Sequence, residues 1–114
     1  MSSKVSPLKG IFNILIKKKA QNPVILDLRE ILNFCDYFII CTSQTSHHAR
    51  VLKEEILKYA KKCKLLLHHI EDDPEGKWIL IDFGDFIVHI FNQEARDFYD
   101  LEHLWREAKI LTSL

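Results

Sequence analysis

The segment Trp78–Phe91 reads Trp-Ile-Leu-Ile-Asp-Phe-Gly-Asp-Phe-Ile-Val-His-Ile-Phe, and it constrains the fold more than any other stretch of the chain. Two apolar runs flank Gly84-Asp85. Glycine at the first position of a two-residue loop suits a type II′ turn, whose twist matches that of the adjoining strands. Such a loop sets the register: Phe83 faces Phe86, Ile81 faces Val88 and Ile79 faces Ile90. That face is wholly apolar and must be core. The opposite face pairs Trp78 with Phe91, Leu80 with His89 and Asp82 with Ile87. A sheet face mixing a large aromatic, aliphatics, one acid and one histidine is either covered by another element or presented to a partner.

The remaining elements follow from periodicity. Ser6-Pro7 reads as a helix start, with Ser6 as cap and Pro7 at the first helical position. Leu8, Ile11, Phe12, Leu15 and Ile16 then form one stripe, and Lys17, Lys18 and Lys19 suit the negative end of the helix dipole. Asn22-Pro23 breaks the helix, and Val24–Leu28 reads as a strand. Tyr37–Thr42 is a second strand, apolar enough for burial on both faces. A polar turn ending in Ser46 as cap leads to a helix striped by Ala49, Leu52, Ile56, Tyr59, Ala60 and Cys63, with Glu54 and Lys58 paired on its outer side. Leu65–Ile70 reads as a third strand, Glu71–Lys77 as an acidic turn, and the hairpin supplies strands four and five. Asn92 and Asp100 cap two closing helices, the last with Leu101, Leu104, Trp105 and Ala108 on one face. This order predicts a mixed α/β (α+β) domain over residues 1–114, with a five-stranded, partly parallel sheet flanked by helices.

With 114 residues and 47% hydrophobic content, the chain can bury a real core. Sixteen basic and sixteen acidic residues cancel. That argues against a general nucleic-acid binder while leaving docking on a ribonucleoprotein through its protein component, and it favours self-association. Cys35, Cys41 and Cys63 sit among apolar neighbours and read as buried free thiols of a reducing compartment. No secretory signal and no membrane-length apolar run is visible, so a cytoplasmic protein without membrane contact is expected.

The chemistry-bearing residues do not converge. His47-His48 and His68-His69 are adjacent pairs whose side chains diverge, and no zinc-type spacing exists, so no metal site or cofactor is expected. Asp27, Asp36, Asp82 and Asp85 lie near strand ends, where Asp also serves turns; Asp82 has backbone donors beside it. Gly10, Gly76 and Gly84 are too far apart for a phosphate loop, and no nucleophile elbow is present. No catalytic residues are assigned. The sequence points instead to an interaction surface, with Trp78 and Trp105 as aromatic candidates and Arg96, Tyr99 and Glu102 spaced along the closing helices.

Three motifs then align with one family. Asp36-Tyr37-Phe38-Ile39-Ile40-Cys41-Thr42 is similar to D-Y-F-V-I-A/C-T. Trp78–Phe91 is similar to W-x-L-h-D-h-G-D-h-h-V-H-h-F, where h is apolar. Arg96, Phe98-Tyr99, Leu101-Glu102 and Leu104-Trp105 match R-x-F/L-Y-x-L-E-x-L-W. Over roughly Val24–Trp105 the chain resembles the ribosomal silencing factor family (RsfS, Iojap or YbeB). The resemblance implies a homodimer with a nucleotidyltransferase-like topology but without that activity. It also implies binding to the large ribosomal subunit through ribosomal protein L-fourteen, which would block subunit joining and repress translation; some members serve large-subunit assembly. Carried over by motif, the partner-binding residues are Trp78, Leu80, Asp82 and His89, with Arg96, Tyr99 and Glu102 as support or secondary contacts. Thr42–His48 departs from the relatives' Thr-Gly-x-Ser-x-Arg-His, and the Gly-Ser and Asp-x-Asp pattern of active nucleotidyltransferases is absent. A degenerate nucleotidyltransferase using Asp82 or Asp85 is the enzymatic alternative.

Overall fold

A computed structural model describes the backbone of residues 5–112. The elements run α1 (Val5–Lys17), β1 (Gln21–Asp27), β2 (Tyr37–Thr42), α2 (Ser46–Lys62), β3 (His69–Asp72), β4 (Trp78–Asp82), β5 (Phe86–Phe91), α3 (Gln93–Tyr99), α4 (Leu101–Leu104) and β6 (Lys109–Leu111). They form one mixed sheet in the order β3-β4-β5-β2-β1-β6. Only β2 and β5 pair in parallel, and the other neighbours are antiparallel. Every residue of β2 and β5 is buried, as central strands covered on both faces require.

The hairpin has the register expected from its loop, with Ile79 opposite Ile90, Ile81 opposite Val88 and Leu80 opposite His89. Gly84 takes φ +87°, and the Phe83 amide donates to the Phe86 carbonyl at 3.0 Å to close the turn. Alternation then divides the interior in two. On one face α1 and α2 bury Leu8, Ile11, Leu15, Leu52 and Ile56 against Ile39, Ile79, Ile81, Val88 and Ile90. On the other, α3 and the C-terminal segment cover Leu26, Phe38, Ile40, Ile87 and Phe91 through Ala95 and Ala108. The ambiguous hairpin face is therefore largely a second core.

Several expectations need correction. The sheet has six strands, not five, because Lys109–Leu111 pairs with the outer edge of β1. The last helix is a single turn, Leu101–Leu104, and Leu104 is 62% exposed rather than facing inward with Ala108. Asp100 does not cap it with its side chain; at φ 46° its backbone carbonyl accepts from His103 and Leu104 instead. The third strand starts at His69, since Leu66 and Leu67 are exposed and pairing is set by β4. The first strand starts earlier, at Gln21, by absorbing Asn22-Pro23 as a bulge, with Asn22 at φ 47°. Thr45, not Ser46, caps α2, accepting from the His48 amide at 2.9 Å. Ile16 faces outward, and Cys63 is exposed while Cys35 and Cys41 are buried. Helix α1 already includes Ser6, and the capping contact expected of that side chain lies outside the described residues. No described helix is long and apolar enough to cross a membrane.

Candidate functional site

The site is built on the β4–β5 face that carries Trp78. Asn92 follows β5 and starts α3, its side-chain oxygen accepting from the Ala95 amide at 2.7 Å. The helix so started crosses the sheet face and packs over Phe91 through Ala95 and Tyr99, while His89 is buried among Phe38, Trp78 and Phe91. Trp78, at the start of β4, stays half-buried at the margin of this cover. Its ring packs on Tyr99 (centroids 4.6 Å apart) and Phe91 (5.1 Å), and its Nε1–H donates to His89 Nδ1 at 3.2 Å.

That bond fixes the His89 tautomer. Because Nδ1 accepts, the proton of the neutral ring sits on Nε2, which has no hydrogen-bond partner among the described residues. The ring lies parallel to Phe91 and meets the Phe38 edge at 4.6 Å. Burial alone pushes its pKa down to about 3, since a charge there would leave water for aromatic surroundings.

Beside Trp78 a groove of about 840 Å³ opens between the β3–β4 edge and α3. Trp78, Leu80, Pro74, Ala95, Phe98 and Tyr99 supply its apolar lining, while Glu71, Asp72, Asp73 and Glu94 give it an acidic rim broken by Lys77. Phe98 is 78% exposed and Tyr99 45% exposed. Contiguous exposed aromatics beside a concave surface are the usual mark of a protein-docking patch.

The other residues singled out from the sequence have internal duties. Asp82 Oδ1 accepts from the Gly84 amide at 2.7 Å, so this carboxylate holds the turn. Asp82→Ala should cost about 1 kcal/mol of stability in a urea melt, whereas Asp82→Asn, which keeps the acceptor, should stay near wild type. Arg96 is 8% exposed and forks onto Glu102, with Nε–Oε1 at 3.1 Å and Nη2–Oε2 at 2.9 Å. Its Nη1 donates to Thr42 Oγ1 at 2.9 Å. Arg96 and Tyr99 therefore go to different neighbours. Trp105 packs edge-on against Phe38 and belongs to the second core. The structure thus brings Trp78, Leu80 and Tyr99 together on the groove, sets His89 directly under Trp78, and places Asp82 and the Arg96–Glu102 pair in the framework. Sequence reasoning missed Phe98 as a site residue and read Glu71–Lys77 only as an acidic turn, not as the rim of a groove. An aromatic directly before Tyr99, out of phase with the buried Ala95 and Arg96, was the available signal for Phe98. Among the described residues no three His, Cys, Asp or Glu side chains gather in a metal-binding arrangement.

The comparisons with known proteins agree with this architecture. Residues 3–113 match the family described as ribosomal silencing factor during starvation. The chain belongs to the ribosomal silencing factor family. It is 32% identical over 96 residues to ribosomal silencing factor RsfS of Halalkalibacterium halodurans, covering 84% of this chain and 82% of that protein. A mouse relative named mitochondrial assembly of ribosomal large subunit protein 1 is 26% identical over 98 residues, covering 83% of this chain and 43% of that protein. A crystal structure of a Chromobacterium violaceum protein shares the fold with a TM-score of 0.86 at 24% identity, covering 91% of this chain and 87% of that one. The family is thus named for ribosome silencing and has a relative named for ribosome assembly.

Proposed function

We propose that this silencing-factor family member binds the large ribosomal subunit through ribosomal protein L-fourteen, with the Trp78 groove as its contact face, and so keeps the small subunit from joining. The observation that carries this reading is the exposed Phe98–Tyr99 pair beside half-buried Trp78, on the motif residues of a ribosomal silencing factor family. The mechanism is steric and uses no catalysis; it requires only tighter binding to the free large subunit than to the joined ribosome. Trp78, Leu80, Phe98 and Tyr99 make the contact, while Asp82, His89, Arg96 and Glu102 hold them in place. A homodimer working in the cytoplasm completes the reading, and light scattering that gave a monomer at high micromolar concentration would remove the dimer from it.

Phe98→Ala and Trp78→Ala should each weaken co-sedimentation with purified large subunits at least about tenfold, roughly 1.4 kcal/mol. Phe98 is mostly exposed, so its truncation leaves the fold intact and reads the surface alone. If a folded Phe98→Ala and Trp78→Ala pair co-sedimented like wild type, the groove assignment would be lost. The mouse relative's name supports a second reading, large-subunit assembly, through the same surface. Accumulation of immature large-subunit particles after deletion of the chain favours assembly, and normal particles with faster subunit joining favour silencing.

A further inference from the structure

The neutral net charge conceals a strong separation of charge. Residues 5–20 and 44–64, which contain α1 and α2, carry ten Lys and Arg against two acids, Glu54 and Glu55. Residues 65–112 carry four Lys and Arg against eleven acids. The fold sets α1 and α2 on one side of the sheet and the acidic α3 on the other, while the acidic β3–β4 turn borders α2, where Asp72 pairs with Lys53 at 2.6 Å.

The two helices run antiparallel. Gly10 of α1 lies against the Tyr59 ring of α2, and at the other end His48 Nε2 bonds the Lys18 carbonyl at 2.8 Å. The C-terminal lysines of α1 therefore stand beside the positive end of α2. The opposite end of the layer holds Lys58, Lys61, Lys62 and Lys64, all exposed. Dipole complementarity accounts for a cation in each last turn, but not for the scarcity of acids along the whole layer. Nor does it account for Lys19 and Lys64, which take φ 65° and 59° just beyond the helices. Glycine or asparagine fills such positions at less conformational cost. Along the 17 residues of α2, about 25 Å, exposed cations gather toward the two ends, with Glu54, Glu55 and the Lys53–Asp72 ion pair between them.

We propose that the outer surface of the α1–α2 layer binds the phosphate backbone of RNA, reading charge and not sequence. An extended array of exposed cations matches a polyanion with regularly spaced charges, and the family is named for acting on ribosomes, which are rich in RNA. The groove floor of Trp78, Leu80 and α3 lies on the opposite face of the sheet from this layer and meets it only at the rim, through Lys53 and Asp72, so a protein and an RNA strand can be held together. The inference needs family membership but not the identity of the groove's partner.

The test is fluorescence anisotropy of a labelled RNA duplex with the full chain, from 50 to 200 mM salt. Affinity should fall at least about tenfold across that range. The variants Lys17→Glu/Lys19→Glu and Lys61→Glu/Lys62→Glu, each verified as folded by thermal melting, should bind at least about fivefold more weakly at low salt with a shallower salt slope. Phe98→Ala should bind RNA like wild type. No binding at 50 mM salt, or a salt slope untouched by both double variants, would overturn the proposal. Equal or tighter binding to phosphatidylserine vesicles would overturn it too, as would salt-sensitive self-association abolished by the same variants without RNA binding. Naked RNA contains no ribosomal protein, so this result and large-subunit co-sedimentation fail independently.

Discussion

Lowering the pH from 7 to 5 should remove about 2 kcal/mol of folding stability, and His89→Gln should abolish most of that loss. His89 is buried, its hydrogen bond comes from Trp78, and its folded-state pKa is held at about 3. In the unfolded chain the same ring titrates near the ordinary histidine value of about 6.5. Between those two values the unfolded state binds a proton that the folded state refuses. Stability is therefore fully present above about pH 6.5 and falls by roughly 1.4 kcal/mol per pH unit as the pH drops toward 3. Asp27, whose carboxyl is held below the usual range by its hydrogen bonds with Arg29, acts in a separate window. Its contribution is lost only as the pH falls below the unfolded carboxylate value of about 4. Urea melts at pH 7, 6 and 5 separate the two. Gln at position 89 can still accept from the Trp78 indole but cannot titrate. Parallel pH profiles for wild type and His89→Gln would show that the buried imidazole is not the cause. Because Trp78 rests on His89, acid should also loosen the wall of the groove before the rest of the sheet gives way.

What could be read from the chain tracks how local its causes are. The hairpin register was legible because a two-residue loop and strict alternation leave a single solution. The inward stripes of α1 and α2 were legible for the same kind of reason, except at their margins, where Ile16 and Cys63 point to solvent. The C-terminal segment was not. Leu101, Leu104, Trp105 and Ala108 repeat with helical spacing, yet the helix stops after one turn. The Trp105 indole is drawn onto Phe38, and Lys109–Leu111 finds the open edge of β1. Both partners lie far away in sequence, so tertiary contacts override the local period. The functional face shows the same limit. Alternation placed Trp78, Leu80 and Asp82 together, but only the packing of α3 shows that His89 and Arg96 are covered while Phe98 stands clear.

The Arg96–Glu102 pair should be the most sensitive point in the framework. Glu102→Ala is expected to cost about 2 kcal/mol, lowering Tm by about 8 °C, because it removes the charged partner of a largely buried guanidinium that keeps only its bonds to Thr42 Oγ1 and the Gln21 carbonyl. Arg96→Ala should be at least as costly, since it removes the donor to Thr42 Oγ1 as well as the fork onto Glu102. The double variant Arg96→Met/Glu102→Leu should recover part of the loss, because no unpaired charge remains and the methionine refills the space. A double-mutant cycle built from urea melts gives the coupling directly; a value under about 1 kcal/mol would place the pair with ordinary solvent-exposed bridges. The ion pair also has a mechanical consequence. Arg96 ties α3 to β2 through Thr42 and to α4 through Glu102, while Phe98 and Tyr99, on the same short helix, form one wall of the groove. A seven-residue helix has little intrinsic stability and depends on such anchors. Loss of the pair should therefore weaken large-subunit binding even at temperatures where the sheet stays folded, and restoring the fold with the Met/Leu pair should restore binding only as far as it re-seats α3.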